Sequence, residues 1–377
     1  MHATPSVDIF CRVVDNYGDI GVCWRLARQL AARPECGPVR LWVDDLNSFA
    51  RIAPGVDPQA ATQTLADITI LSWADAENVD PERLQPADVA IEAFACSPPP
   101  AYIEKLSSRQ LWLNLEYLSA ESWVESCHGL PSLQPGGRRK FFFFPGFTSN
   151  TGGLLREPGL LEQRDAWQAD PQARFGLLKQ LGVDTLWLER LRAGAALVYV
   201  YCYSQAPLPA LVQALHRQGR DTLLLLPKGI WPHDLPSLQA SGCHVATHPH
   251  EFVDQDSFDR LLWSSDLNVV RGEDSLLRAI WAGRALIWQP YPQQDNAHLH
   301  KLQAWLDRSP YPAAVRQLME CWNRDDADGL MARSPLLATQ TMKQWGCLTR
   351  SWCAELAQED DLASRLLSFC ADHAQTR

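Results

Sequence analysis

Short apolar runs alternate with helix-patterned stretches along most of this chain, and that alternation admits few folds. Val7-Asp8-Ile9-Phe10-Cys11-Arg12-Val13-Val14 reads as a strand ending in a turn-rich stretch, after which residues 21–30 carry apolar side chains at helical spacing. Further strands are expected at 39–43, 68–71, 89–94 and 111–115, separated by helices or loops. This is the pattern of a parallel sheet with connections on both faces. It breaks in a Pro- and Gly-rich region from Leu130 to about Pro158, within which Phe141-Phe142-Phe143-Phe144 reads as a buried strand between long loops. It then restarts near residue 190, with strands at 195–201, 222–226, 244–247, 267–270 and 285–289 and helices over 210–217 and 275–282. The tail from about Leu330 is helical.

A chain of 377 residues exceeds one ordinary core. The repeated pattern predicts an α/β fold of two Rossmann-like, doubly wound domains, over 1–185 and 186–355, with a C-terminal helix over 356–377 packing back on the first. Two such domains in tandem are expected to face each other across a cleft at the carboxyl ends of their sheets, where ligands of these folds bind.

Composition narrows the function classes. With 46% hydrophobic and 21% charged residues the chain is ordinary globular protein, and its net charge of -10 argues against a nucleic-acid binder while permitting a basic protein partner. No stretch has the roughly 18 apolar residues of a membrane span, and the N-terminus lacks a signal-like pattern, so a cytoplasmic protein is expected. The 11 cysteines stand singly, without a C-x-x-C pair, and read as buried reduced thiols rather than a metal or disulfide framework. His248 and His250, like His298 and His300, lack metal-ligand spacing, so no metal site is expected.

Chemistry is sought in four loops. Asp15-Asn16-Tyr17-Gly18-Asp19-Ile20-Gly21 follows the first strand; its glycines permit close ligand approach, and its two acids either start a turn and cap a helix or place a general base in the cleft. Arg271-Gly272-Glu273-Asp274-Ser275 opens a helix whose amides at Asp274 and Ser275 suit a phosphate, with Arg271 adding charge; capping and a local ion pair are the plainer account. A carboxylate at Glu273 repels phosphate unless it contacts something else, such as sugar hydroxyls. Glu251 to Asp259 is either a helix packing its Phe residues or a base slot formed by Phe252, Gln255 and Phe258. Trp288 to Asn296 is rich in groups suited to sugars or phosphates, or is a rigid Pro-rich connection.

Three of these segments, 15–21, 252–259 and 271–275, are together similar to the signature segments of the elongation factor P arginine rhamnosyltransferases, as are Pro145-Gly146-Phe147, Thr151-Gly152-Gly153-Leu154 and Tyr291-Pro292-Gln293. The resemblance runs in register from about residue 6 to the C-terminus. It implies a GT-B-like fold with the acceptor on the first domain and the nucleotide sugar on the second. It also implies metal-independent, inverting transfer of L-rhamnose from dTDP-β-L-rhamnose to an arginine of elongation factor P, without cofactor, in support of translation through consecutive prolines. Carried over by residue, Asp19 is the general base, Asp15 a second acid at the guanidinium, and Glu273 the essential glutamate. Arg271, Asp274 and Ser275 match the pyrophosphate region, and Phe252, Gln255 and Phe258 the thymine slot. Tyr17, Gly18, Tyr201, Tyr203 and Tyr291 join the donor site; at 201 the family pattern has phenylalanine. Three alternatives keep the same fold: a glycosyltransferase with another nucleotide sugar or acceptor, a non-catalytic nucleotide-sugar binder that needs neither acid, and a nucleotide-sugar epimerase.

Overall fold

The computed structural model describes residues 4–14, 17–73, 84–229 and 243–375. The chain divides into two units, residues 1–158 with 357–377, and residues 159–356.

The first unit runs β1 (Val7–Cys11), α1 (Gly18–Ala31), β2 (Val39–Val43), α2 (Leu46–Ile52), β3 (Thr62–Leu65), β4 (Ile68–Ser72), β5 (Val89–Ala93), α3 (Pro100–Lys105), β6 (Leu111–Leu115), α4 (Trp123–Cys127), β7 (Pro131–Leu133) and β8 (Arg139–Phe143). Its sheet order is β3-β4-β2-β1-β5-β6-β8-β7. The central strands are parallel, and β1, β5 and β6 are buried at every residue, as a sheet covered on both faces requires. Antiparallel β3 and β7 close the two edges; their polar, half-exposed sequences lack the apolar run that marks the others. Chain order reverses between β1 and β5, so the loops leaving these strands flank the sheet's switch point.

The second unit runs α5 (Leu160–Ala169), α6 (Pro171–Gln180), α7 (Thr185–Arg192), β9 (Ala196–Val200), α8 (Leu208–His216), β10 (Thr222–Pro227), β11 (Val245–His250), α9 (Gln255–Ser264), β12 (Leu267–Arg271), α10 (Gly272–Ala282), β13 (Ala285–Gln289), α11 (Ala297–Arg308), α12 (Ala313–Asn323), α13 (Ala327–Ala332) and α14 (Thr339–Leu356). Its sheet is parallel, in the order β11-β10-β9-β12-β13, with its switch point between β9 and β12. Residues 159–185, expected in the first domain, belong here. Arg164 donates to the Trp281 carbonyl (2.8 Å), Trp167 to Ser264 Oγ (3.0 Å) and Gln168 to the Ala282 carbonyl (2.9 Å), tying α5 to the ends of α9 and α10.

The last helix, α15 (Leu362–Gln375), belongs to the first unit. Arg33 donates to Asp361 at 2.7 Å, Leu362 N to the Leu154 carbonyl at 2.9 Å, and Phe369 packs on Phe141 and Phe143. The Phe run is thus β8 and its exit; Phe143 and Phe144 are buried, whereas Phe141 and Phe142 are only partly covered. Under this contact lies His128, whose Nδ1 accepts from Phe144 N at 3.1 Å. Burial, with the Arg365 charge adding to it, lowers its imidazole from 6.5 to about 4. The folded chain therefore refuses a proton that the unfolded chain accepts below pH 6.5. This contribution to stability is complete above that pH and is lost as pH falls toward 4. Thermal melts are expected to fall over that window, and less steeply in His128→Gln; identical slopes in the two proteins would exclude His128 as a source.

Candidate functional site

Two sets of predicted residues sit at the two switch points. In the first unit, α1 begins at Gly18 with Tyr17 as its N-cap residue, three positions earlier than the apolar spacing suggested. Asp19 therefore lies inside the first turn and does not cap the helix. Its carboxylate is 2% exposed and bridges three elements: Oδ2 accepts from Val14 N, beyond β1, at 2.9 Å, and Oδ1 accepts from the Tyr117 hydroxyl, beyond β6, at 3.2 Å. Both donors orient the carboxylate, and a helix N-terminus favours its charge. Tyr17 and Gly18 are partly exposed beside it, and Asp15 lies outside the described residues.

Tyr117 itself was not foreseen. Its ring stacks on Phe94 with centroids 4.3 Å apart and 13° between planes. Phe94 leaves β5 in a left-handed conformation, as do Ala95 and Ser97 (φ 56°, 54° and 55°). Such backbone is costly for residues with a Cβ and persists where surrounding bonds impose it. Here they do: Phe94 N donates to the Leu115 carbonyl at 2.8 Å, Ala95 N to Asn114 Oδ1 at 3.0 Å and Ser97 N to Glu92 Oε1 at 3.2 Å. The only sequence signal for Tyr117 is its place just past the carboxyl end of a strand near the switch point.

In the second unit β9 ends at Val200, so Tyr201 and Tyr203 occupy the loop at the switch point. Arg271 closes β12 and lies over both rings, its Cζ 4.5 Å from the Tyr201 centroid and 4.6 Å from that of Tyr203. Cation–π contacts of this kind contribute roughly 0.5–2 kcal/mol each and fix the guanidinium plane. Half-exposed Tyr291 meets Tyr203 edge to face at 5.5 Å, and Tyr203 N donates to Gln289 Oε1 at 2.9 Å. Helix α10 starts at Gly272, whose carbonyl accepts from the Trp288 indole at 2.7 Å. The amides that open it are thus those of Gly272 to Asp274, since the helix starts three residues earlier than expected. Ser275 instead turns its hydroxyl onto the Arg271 carbonyl.

Glu273, unexplained beside a phosphate site, pairs with Lys301 of α11. Both are largely buried, at 17% and 19% side-chain exposure. No local pattern links residues so far apart in sequence, and Lys301 was missed. Within the segment 251–259, Asp254 caps α9 by accepting from Ser257 N at 2.7 Å, and Phe258 packs edge-on against Tyr199 and Tyr201 at 5.7 and 5.8 Å, the packing of the plainer account. Gln255 is buried in the first turn and Phe252 half-buried just before the cap. Phe258, Tyr201, Arg271 and Tyr203 thus form one contact chain from α9 to the head of α10.

Residues 7–371 match the model of the family described as Elongation-Factor P (EF-P) rhamnosyltransferase EarP. The chain belongs to the elongation factor P rhamnosyltransferase family. A protein-arginine rhamnosyltransferase of Pseudomonas putida is 46% identical over 96% of this chain and 97% of its own. A solved structure that gives the structural basis for EarP-mediated arginine glycosylation of translation elongation factor EF-P superposes over 98% of this chain and 99% of its own, with a TM-score of 0.65 and 31% identity. A glycosyltransferase from Rickettsia africae, 10% identical, matches over both full chains with a TM-score of 0.56 and shows the fold alone. The chain thus has a GT-B-like α/β fold of two Rossmann-like units. Among the described residues no helix is long and apolar enough to cross a membrane.

Proposed function

We propose that this chain transfers L-rhamnose from dTDP-β-L-rhamnose to an arginine side chain of elongation factor P, with inversion at the anomeric carbon and without a metal or cofactor, and so supports translation through consecutive prolines. The observation that carries an enzyme reading over a binding module is Asp19, a buried carboxylate held between Val14 N and the Tyr117 hydroxyl at a sheet switch point. A protein that only bound a nucleotide sugar would need that acid for structure alone.

Arginine ionises above about pH 12, so a carboxylate does not simply deprotonate it in the ground state. Asp19, with Asp15, holds and polarises the guanidinium, and Asp19 accepts the proton as the new C–N bond forms. On the donor side, the pyrimidine occupies the slot of Phe252, Gln255 and Phe258. The diphosphate lies at the head of α10, where Arg271, the opening amides and Asp274 and Ser275 line its position. Tyr201, Tyr203 and Tyr291 complete the nucleotide side of the site in the second unit, and Tyr17 and Gly18 serve the sugar donor from the first. Charge growing on the leaving diphosphate is met by the helix N-terminus and Arg271. Glu273 contacts the sugar hydroxyls.

Incubation with elongation factor P and dTDP-rhamnose, read by intact mass and peptide mapping, should show a deoxyhexose-sized gain on one arginine. No gain, or a gain only with another nucleotide sugar or acceptor, rejects the assignment. Phe252→Ala is expected to weaken dTDP binding by about tenfold, since stacking on a base contributes ~1–3 kcal/mol. Calorimetry giving equal affinities would remove Phe252 from the slot.

A further inference from the structure

Asp259 and Arg278 form an ion pair inside the second unit, Nε to Oδ1 at 2.9 Å and Nη2 to Oδ2 at 2.5 Å. Asp259 is 4% and Arg278 1% exposed. Burying two charges carries a desolvation cost that two aliphatic side chains of similar volume avoid, so stability alone does not account for the pair. What a forked guanidinium–carboxylate contact has, and an aliphatic contact lacks, is a single favoured geometry.

Its location shows what that geometry holds. Asp259 lies on α9 directly after Phe258 and one turn beyond Gln255; Arg278 lies on α10 one turn beyond Asp274. The two helices pack together. The pair therefore joins, one turn behind the ligand-bearing ends, the helix of the base slot to the helix of the diphosphate turn. In front of it Phe258 of α9 packs on Tyr201 at 5.8 Å, and Arg271, which closes β12, lies over the same ring at 4.5 Å; ring contacts of this kind tolerate sliding.

We infer that Asp259 and Arg278 are positioning residues that set the separation between the nucleobase slot and the diphosphate turn, so that a nucleoside diphosphate of fixed length spans both. The inference rests on the nucleotide reading of this site. The test compares the full-length wild type with the double variant Asp259→Leu and Arg278→Leu, measuring thermal midpoint, dTDP affinity by calorimetry, and steady-state kinetics on the rhamnose donor. The aliphatic pair is expected to keep or raise the midpoint. It should also weaken dTDP binding and raise donor KM by on the order of tenfold to a hundredfold, with a smaller change in kcat. A purely structural role would move the midpoint and leave KM alone. Wild-type dTDP affinity in the folded double variant overturns the inference. Should that variant not fold, Arg278→Lys keeps the charge and loses the fork; a severalfold loss of dTDP affinity supports the inference, and unchanged affinity overturns it. A wild-type protein that does not bind dTDP instead sinks the nucleotide reading, and this inference with it.

Discussion

Asp19→Asn is expected to lower turnover by about 10²–10⁴-fold, the usual contribution of a positioned general base, while dTDP affinity stays within about twofold. Asparagine keeps the shape and one acceptor oxygen, so much of the bonding to Val14 N and the Tyr117 hydroxyl survives, but it cannot take the proton. Asp19→Ala should lose turnover to the same degree. It should also lower the thermal midpoint, because two donors then lose their acceptor in a buried place. Tyr117→Phe should fall between these and wild type, by about tenfold, since it removes one orienting bond and leaves the carboxylate. The decisive measurement is single-turnover transfer to elongation factor P with saturating donor. An active Asp19→Asn protein removes Asp19 from the chemistry and leaves it a structural acid.

The second large effect is expected at a residue that sequence patterns did not mark. Lys301→Met should raise donor KM by about a hundredfold, because it strips the counter-charge from Glu273 at the diphosphate turn. Two like unit charges about 5 Å apart at an effective dielectric of about 20 repel by roughly 3 kcal/mol, close to two decades in affinity. Glu273→Gln should do the reverse: donor binding near wild type, turnover reduced about a hundredfold through lost contact to the sugar. Joining both changes should restore the binding that Lys301→Met loses without restoring turnover, a non-additivity expected of charges acting as a pair. Wild-type KM in Lys301→Met would show that the carboxylate does not face the diphosphate.

What could be read from the linear chain is physically local. The strands β1, β2, β5, β6, β9, β10, β12 and β13 are short, mostly apolar runs because both faces of a parallel sheet are buried, and each was placed to within a few residues. Edge strands β3 and β7 escaped because one side of an edge is polar. The membership of residues 159–185 in the second unit escaped because the anchors of α5, Trp263, Ser264, Trp281 and Ala282, lie about a hundred residues further on. The segments that showed the family were legible too, since a turn followed by a helix start is written in adjacent residues.

Only the folded chain decided how those residues are held. Asp19 meets a hydroxyl 98 positions away, Arg271 lies over a ring 70 positions away, and Glu273 meets an ammonium 28 positions away. These meetings follow from strand order: β1, β5 and β6 run side by side, as do β9, β12 and β13, so the segments that leave their carboxyl ends come together. Strand order is set by the summed burial of the whole sheet and by crossover connections, which no local stretch encodes. Residue types at the site are therefore a property of the sequence, while their orientation and electrostatic pairing belong to the tertiary structure.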